Sequence, residues 1–191
     1  MRVVAFNGSP RFNGNSHHLL EHVFAPLKKA GIECEEIRIG GTLLHGCKAC
    51  GGCAKKPGAC VQTDDPMNEW VAKMKSADGI ILASPTYFAN VTTEMKALID
   101  RAGVVCLNDN HCLRHKVGAP VVVARRGGAV QVYNVMMSFF GINSMVVPMS
   151  SYWNDGVGLA PGDVEKDDEA LHTMQELGAN MAWVLQNLHG K

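Results

Sequence analysis

The chain opens with an apolar segment that runs directly into a loop of small polar residues. Residues 3–6, V-V-A-F, predict a buried strand. Residues 7–16, N-G-S-P-R-F-N-G-N-S, supply glycines, hydroxyls and amides, and an amphipathic helix follows with Leu19, Val23 and Leu27 on one side. The N–H groups of such a loop and of a helix N-terminus converge on one point, where the helix dipole favours negative charge. The sequence therefore predicts a phosphate site here.

The side chains predicted to bind this phosphate are polar or cationic. They are Ser9, Arg11, Asn13, Asn15 and Ser16. The loop is not a Walker A motif, which argues against ATP or GTP hydrolysis, and it lacks the G-x-G-x-x-G pattern of many NAD-binding domains. An ordinary glycine-rich turn between strand and helix remains the alternative.

The composition is typical of a single globular domain, which we expect to cover residues 1–191. Residues 42–65 are predicted to form a cysteine-rich loop inserted in this domain. Hydrophobic residues make up 47% of the chain and charged residues 19%. The 18 basic and 18 acidic residues balance and form no basic run, so we expect no nucleic-acid partner. No apolar stretch is long enough for a membrane span, and no secretion signal leads the chain. We therefore expect a cytoplasmic protein.

Apolar strands and amphipathic helices alternate along the whole chain. The predicted strands are residues 3–6, 33–39, 78–84, 119–124 and 145–149. Asp65 and Pro66 predict the start of one helix, and the last helix is predicted to open at Asp163 or Glu165. We expect residues 103–118 to be irregular. This alternation favours βαβ units and an α/β fold with a five-stranded parallel sheet in the order 2-1-3-4-5.

In that strand order, ligands bind where strands 1 and 3 diverge, beyond their C-terminal ends. The loops 7–16, 85–91 and 125–128 would meet there. The third-strand loop offers backbone groups and aromatic side chains suited to a planar ring such as isoalloxazine, and the fourth-strand loop would close the far side. The predicted ring contacts are Pro85, Thr86, Tyr87, Phe88 and Asn90, with Arg126, Gly127 and Gly128 opposite. Ordinary loop aromatics and solvated arginines are the alternative.

These loops resemble those of the NAD(P)H-dependent FMN reductases, a flavodoxin-like family. The likeness is carried by G-S-P-R-x-x-G-N-S in the first loop, by P-T-Y in the second, and by Asp100-Arg101 near the end of the next helix. It covers nearly the whole chain. The resemblance implies a flavodoxin-like three-layer sandwich, FMN as cofactor, NAD(P)H as co-substrate and a homodimer or homotetramer.

Four of the seven cysteines lie in one glycine-rich loop. Cys47, Cys50, Cys53 and Cys60 are spaced C-x2-C-x2-C-x6-C, so three thiols can face one centre if the backbone coils tightly. The motif resembles the compact cluster motif of the iron–sulfur flavoproteins, a branch of the same family, which implies a [4Fe-4S] cluster. An FMN-only relative that kept its cysteines, a zinc site and redox disulfides stay open. Of the other cysteines, Cys106 and Cys112 are expected to be the more exposed pair.

The function expected from this resemblance is that of an FMN-binding oxidoreductase. It would transfer hydride from NAD(P)H to flavin and pass electrons to a small-molecule or protein acceptor. One alternative is an electron carrier fed by a ferredoxin-like donor, with no NAD(P)H site; another is a flavin-binding protein without turnover. No side chain need act as acid, base or nucleophile, so no catalytic residue is predicted. Residues 150–154, S-S-Y-W-N, are expected at the end of the fifth strand, where Trp153 would line the site of this chain or of a neighbouring subunit, or cover the core.

Overall fold

The computed structural model describes residues 1–189 and is built around one parallel sheet. Its strands are β1 (Arg2–Asn7), β2 (Glu33–Arg38), β3 (Gly79–Pro85), β4 (Val117–Ala124) and β5 (Asp155–Val157). Their order across the sheet is β2-β1-β3-β4-β5, and every neighbouring pair is parallel. This confirms the predicted α/β fold and strand order.

Helices cover both faces of the sheet. They are α1 (Asn15–Lys29), α2 (Gly52–Lys55), α3 (Met67–Ser76), α4 (Thr93–Asn108), α5 (Ala129–Ile142) and α6 (Asp168–His189), with a 3₁₀ turn at Asp163–Lys166. One apolar core lies between the sheet and α1 with α6, and a second lies between the sheet and α3, α4 and α5. Alternate residues of the central strands point into one core or the other. Because both faces are buried, these strands are continuous hydrophobic runs in the sequence.

Two helices on the first face approach each other closely. A Cβ on Gly178 of α6 would lie 2.2 Å from the backbone oxygen of Val23 in α1. A larger residue at this position would force the helices apart. Within residues 1–189, no helix is both long and apolar enough to cross a membrane.

The fifth strand is not where the sequence predicted it. Residues 145–149 make only an isolated bridge, between Val146 and Val117, and the strand proper is Asp155–Val157 beside the end of β4. Pro148 has no N–H to donate to a ladder, and the chain leaves the sheet there and returns at Asp155. Residues 150–154 therefore precede β5 and do not follow it.

The segment predicted to be irregular begins as regular helix. Helix α4 continues to Asn108, and only the residues after it form turns. Cys106 is completely buried, so its predicted exposure is wrong, while Cys112 is half-buried. Tertiary packing of Ala102, Val105 and Cys106 into the second core outweighs the modest helix propensity of Gly103 and its neighbours.

Candidate functional site

A cleft lies at the C-terminal ends of β1, β3 and β4. Its volume is about 160 Å³. Loops that follow β1, β3 and β4 form its walls together with the segment after β5. The lining residues are Ser9, Arg11, Asn15, Ser16, Pro85, Thr86, Tyr87, Val123, Arg125, Gly158 and Leu159. The cleft thus occupies the point where the strand order reverses, as the topology requires.

Helix α1 points its uncapped N-terminus into this cleft. Gly14 occupies the N-cap position, so no side chain accepts from the first N–H groups of the helix. The Ser16 hydroxyl is buried and finds no hydrogen-bond partner among the described residues. The N–H of Ser9 donates to Asn7 Oδ1 (2.9 Å) and its Oγ accepts from the N–H of Arg11 (3.3 Å), so the Ser9 hydroxyl hydrogen is still available to donate. This end of the cleft therefore offers several free donors to an anion.

The segment after β5 is held against the first loop by two side chains that the sequence assigned to phosphate. Arg11 Nη1 donates to the Leu159 carbonyl (2.8 Å) and Asn15 Nδ2 to that of Ala160 (2.9 Å), while Asn15 Oδ1 accepts from the N–H of Val164 (3.4 Å). Sequence reasoning missed Gly158 and Leu159 because it placed the fifth strand before residue 150. No local pattern links positions so far apart in the chain.

The loop after β3 ends in a tight turn with strained backbone. The backbones of Tyr87 and Asn90 exchange hydrogen bonds of 2.9 and 3.0 Å. Phe88 (φ 49°) and Ala89 (φ 57°) between them adopt the left-handed conformation that glycine normally takes in such turns. The Thr86 hydroxyl is buried and unpartnered among the described residues. Strain of this kind is often found beside ligand sites.

The predicted cleft residues divide into two groups. Seven of them line the cleft: Ser9, Arg11, Asn15, Ser16, Pro85, Thr86 and Tyr87. Six others lie outside that lining: Asn13, Phe88, Asn90, Arg126, Gly127 and Gly128. All six except Gly128 are exposed, and Arg125 lines the cleft where Arg126 was predicted.

The four-cysteine loop borders a second cavity, of about 300 Å³. Cys47, Cys50, Cys53 and Cys60 all line it, together with Arg101 of α4. Gly51 adopts a left-handed conformation (φ 66°) that starts the short helix α2, so the backbone coils between the second and third thiols.

The spacing of the thiols bears on which metal group they suit. His17, Glu21 and Glu36 are the described residues whose ligand atoms all lie within 4.8 Å of one another, and no three of the cysteine sulfurs are that close. A tetrahedral zinc ion with Zn–S bonds of about 2.3 Å would bring its sulfurs within ~4 Å of each other. Among the described residues, the four sulfurs are therefore not all within the distance that one bound zinc ion would impose.

Polar groups approach these sulfurs. The N–H of Ala49 donates to Cys47 Sγ (3.5 Å), and Arg101 Nη2 lies 3.5 Å from Cys60 Sγ. The Arg101 side chain is completely buried and forms an ion pair with the buried Asp65. Burial acts to raise the pKa of Asp65, but hydrogen bonds from Arg101 and from backbone N–H groups hold that pKa below its ordinary value.

Asp65 also lies at the start of α3, as predicted, although the helix begins one residue later than expected. Pro66 occupies the N-cap position, and Asp65 Oδ1 accepts from the N–H of Met67 (3.2 Å). Its pairing with Arg101, across the cysteine loop, was not predicted.

Comparisons with known proteins agree with this architecture. The family model of the NADPH-dependent FMN reductases matches residues 1–158. An iron-sulfur flavoprotein of Methanocaldococcus jannaschii is 39% identical, covering 97% of this chain and 98% of the relative. An iron-sulfur flavoprotein of Methanosarcina thermophila is 32% identical, with coverages of 97% and 96%.

A solved structure shares the fold at much lower identity. RosB, solved with the bound intermediate 8-demethyl-8-formylriboflavin-5'-phosphate, superposes with a TM-score of 0.74 at 18% identity, covering 100% of this chain and 81% of that one. The family match spans the four-cysteine loop and every lining residue of the cleft except Leu159. From its sequence and its fold, the chain belongs to the family of NADPH-dependent FMN reductases.

Proposed function

We propose that this chain is an oxidoreductase that binds FMN in the cleft and a [4Fe-4S] cluster at the four-cysteine loop. The observation that carries the flavin site is the buried, unpartnered Ser16 hydroxyl at the uncapped N-terminus of α1. A phosphate monoester presents several acceptor oxygens and a negative charge, which these donors match. The family membership supports FMN over another phosphorylated ligand.

In this proposal the residues of the cleft bind and orient the cofactor. Ser9, Ser16 and the N–H groups at the start of α1 hold the phosphate, with Asn13 at its exposed side. Arg11 and Asn15 keep the segment after β5 closed over it. Pro85, Thr86 and Tyr87 lie beside the ring, and the buried Thr86 hydroxyl supplies an unused polar group there. When bound, FMN supplies the hydride and electron-transfer chemistry, and no side chain need act as acid or base.

The remaining predicted residues lie near the entrance. Phe88 and Asn90 belong to the exposed turn, and Gly128 supports that turn from below. Arg125 and Arg126 give this entrance a positive charge, which suits the phosphates of a nicotinamide nucleotide. We therefore propose NAD(P)H as the electron donor and a small molecule or a protein as the acceptor.

Two observations support the cluster. The four thiols line one cavity, and both relatives described above are named iron-sulfur flavoproteins. A bound cluster supplies one-electron transfer.

A second candidate function is that of an electron carrier reduced by a ferredoxin-like protein. The exposure of Cys47 and Cys50 favours it, because a protein partner can reach that side of the loop directly. The homo-oligomer and the cytoplasmic location remain predictions.

The proposal is tested on purified chain supplied anaerobically with FMN, ferric iron, sulfide and a thiol reductant. We expect stoichiometric flavin and iron, and we expect Cys50→Ala to lose the iron while it keeps the flavin. Flavin bleaching by NADPH or NADH would identify the reductase, whereas bleaching only by reduced ferredoxin would identify the carrier. A chain that takes up no FMN contradicts the proposal.

A further inference from the structure

We propose that Arg101 is a positioning residue of the four-cysteine site, which fixes the loop to α4 and tunes the Cys60 sulfur. The effect on a bound cluster rests on the proposed function, whereas the effect on the loop stands without it. Nothing in the family match assigns a role to this residue. The inference comes from its contacts, its burial and its partner.

Arg101 contacts the chain on both sides of the four cysteines. Nη1 donates to the backbone oxygen of His45 (3.1 Å), just before the first cysteine. Nη2 donates to the backbone oxygen of Gln62 (3.2 Å), just after the last one. One rigid guanidinium thus brings the two ends of the loop together against α4. Because these acceptors are backbone atoms, the contacts fix the path of the chain and not a side-chain rotamer.

Asp65 fixes the orientation of the guanidinium. The side-chain exposures of Arg101 and Asp65 are 0% and 1%, so the ion pair is removed from water. The Asp65 carboxylate also accepts from the N–H groups of Met67 and His45 (3.2 and 3.4 Å), which ties the same loop to the start of α3. A buried ion pair is weak evidence for stability, and specifying one geometry is the better-supported use of such a pair.

The contact with Cys60 gives Arg101 an electrostatic role as well. Nη2 lies 3.5 Å from Cys60 Sγ, in the cavity that all four thiols line. A cation that donates to a ligand sulfur stabilises the more negative, reduced state of a cluster, since hydrogen bonds to the sulfurs are among the determinants of cluster potential. Arg101 should therefore make the potential less negative.

The variant Arg101→Lys tests both roles. Lysine keeps the charge but presents a compact ammonium, which cannot reproduce the fixed fork of the guanidinium. The matched control is Lys96→Arg, the reverse exchange on the same helix, in an exposed pair with Asp100. Neither exchange changes the number of sites at which trypsin can cut.

The first measurement is limited trypsin digestion of the chain without iron. Lys48 and Lys55 supply trypsin sites in the cysteine loop, whereas Pro57 protects the bond after Lys56. We expect Arg101→Lys to be cut there about tenfold faster than the wild type, because the open loop becomes more populated. Lys96→Arg should be cut at the wild-type rate. Equal loop cleavage in all three proteins would overturn the inference, whether or not the chain binds a cluster.

The second measurement is made on the iron-loaded chain. We expect Arg101→Lys to hold iron about 10- to 100-fold less tightly against a chelator. Its midpoint potential, followed by EPR, should be more negative than that of the wild type. A merely structural residue would change iron retention but not the potential of the cluster that remains. An unchanged potential would therefore overturn the electrostatic role of Arg101, and an iron affinity that is also unchanged would overturn its positioning role at the cluster.

A double variant covers the case in which the single exchange impairs folding. Asp65→Asn with Arg101→Met removes both buried charges together, which is far less costly than leaving one of them unpaired. If this protein takes up FMN and shows wild-type loop cleavage and wild-type potential, Arg101 has no positioning role. Faster cleavage with a more negative potential would support it. Failure of the wild type to bind iron would instead contradict the proposed cluster and leave the trypsin result as the test.

Discussion

Gly128 shows how one residue shapes the entrance of the candidate cleft. It has φ of 92°, and an added Cβ would lie 3.1 Å from both Ala89 Cα and Thr86 Cγ2. The strained turn after β3 rests against it. Its neighbour Gly127 does not have positive φ and has open space around its Cα. The two adjacent glycines therefore form a natural pair of test and control.

We expect Gly128→Ala to lower the free energy of unfolding by about 1–2 kcal/mol, the cost of a left-handed conformation in a residue with a Cβ. It should also weaken FMN binding, because the turn beside Thr86 must shift. Gly127→Ala should change stability by less than about 0.5 kcal/mol. Urea unfolding and fluorescence titration with FMN measure the two effects. Equal behaviour of the two variants would show that this contact does not shape the cleft.

At the residue scale, the sequence predicts a phosphate site in the loop after β1 because the chemistry of that loop is local. Ser9 and Ser16 lie within one short segment, and hydroxyls beside glycines at a helix start have a recognisable meaning. The contacts of Arg101 with the two ends of the cysteine loop could not be predicted in the same way, because these partners are distant in sequence and meet only through the packing of α4. The interpretation of Arg11 as a phosphate ligand did not foresee its bond to Leu159 for a similar reason.

Among the elements, the edge strand β2 is tied to its neighbours by charge. Glu35 forms ion pairs with Arg2 of β1 and with Lys73 of α3, the latter at 2.8 Å. The hydrogen bond from Lys73 is the main reason that the pKa of Glu35 lies below its ordinary value. Burial opposes this shift, and Arg2 adds to it. One carboxylate thus connects two strands with the helix layer above them.

The pH dependence of stability should reflect this carboxylate. Because the pKa of Glu35 is lower in the folded chain than in the unfolded one, its contribution is complete above the unfolded value of 4.5 and disappears as the pH falls through the folded value. Glu35→Gln should therefore be less stable than the wild type near neutral pH. In urea unfolding, that difference should shrink as the pH falls below 4.5. A difference that stays constant with pH would exclude the ion pairs as its source.

The predictability of each element depended on its length and its burial. The strands β1, β3 and β4 are buried on both faces, so their apolar runs identified them. Strand β5 has three residues and shows almost no hydrophobic pattern. The fifth strand was therefore predicted at residues 145–149, which are more apolar. Helix α4 was predicted too short because its last buried residues follow Gly103, and sequence alone does not show that α5 packs there.

For the whole molecule, the cleft joins parts of the chain that are far apart in sequence. Its walls come from four separate loops, including the segment after β5. A ligand that binds across them stabilises the native state as a unit, by RT ln(1 + [L]/Kd). Binding should therefore be visible in global unfolding.

We expect FMN at 100 times its Kd to raise the free energy of unfolding by about 2.7 kcal/mol. Riboflavin at the same concentration should stabilise less, because it lacks the phosphate that the N-terminus of α1 and Ser16 would hold. Ser16→Ala should narrow the gap between the two ligands. Thermal unfolding with each flavin measures this. Equal stabilisation by FMN and riboflavin would place the phosphate elsewhere.

The overall architecture was the most predictable property of the molecule. Alternating strands and helices leave few possible topologies, because parallel connections are right-handed, and the observed order is the predicted one. The backbone path of the cysteine loop was much less predictable. Its glycines permit many paths, and the path taken depends on contacts with α4 that no local pattern encodes.

Helix α4 limits where residues can be inserted as the sequence evolves. It begins beside the candidate cleft, where the Thr92 N–H donates to Ser84 Oγ (3.2 Å), and it reaches the cysteine cavity at Arg101. Between Thr93 and Arg101 the helix spans about 12 Å, and one inserted residue would rotate everything beyond it by about 100°. Insertions between these positions would point Arg101 away from the cysteines. Insertions after Asn108 would not change the orientation of Arg101 relative to the start of the helix. We therefore expect length differences among relatives to occur after Asn108 and not within this part of α4.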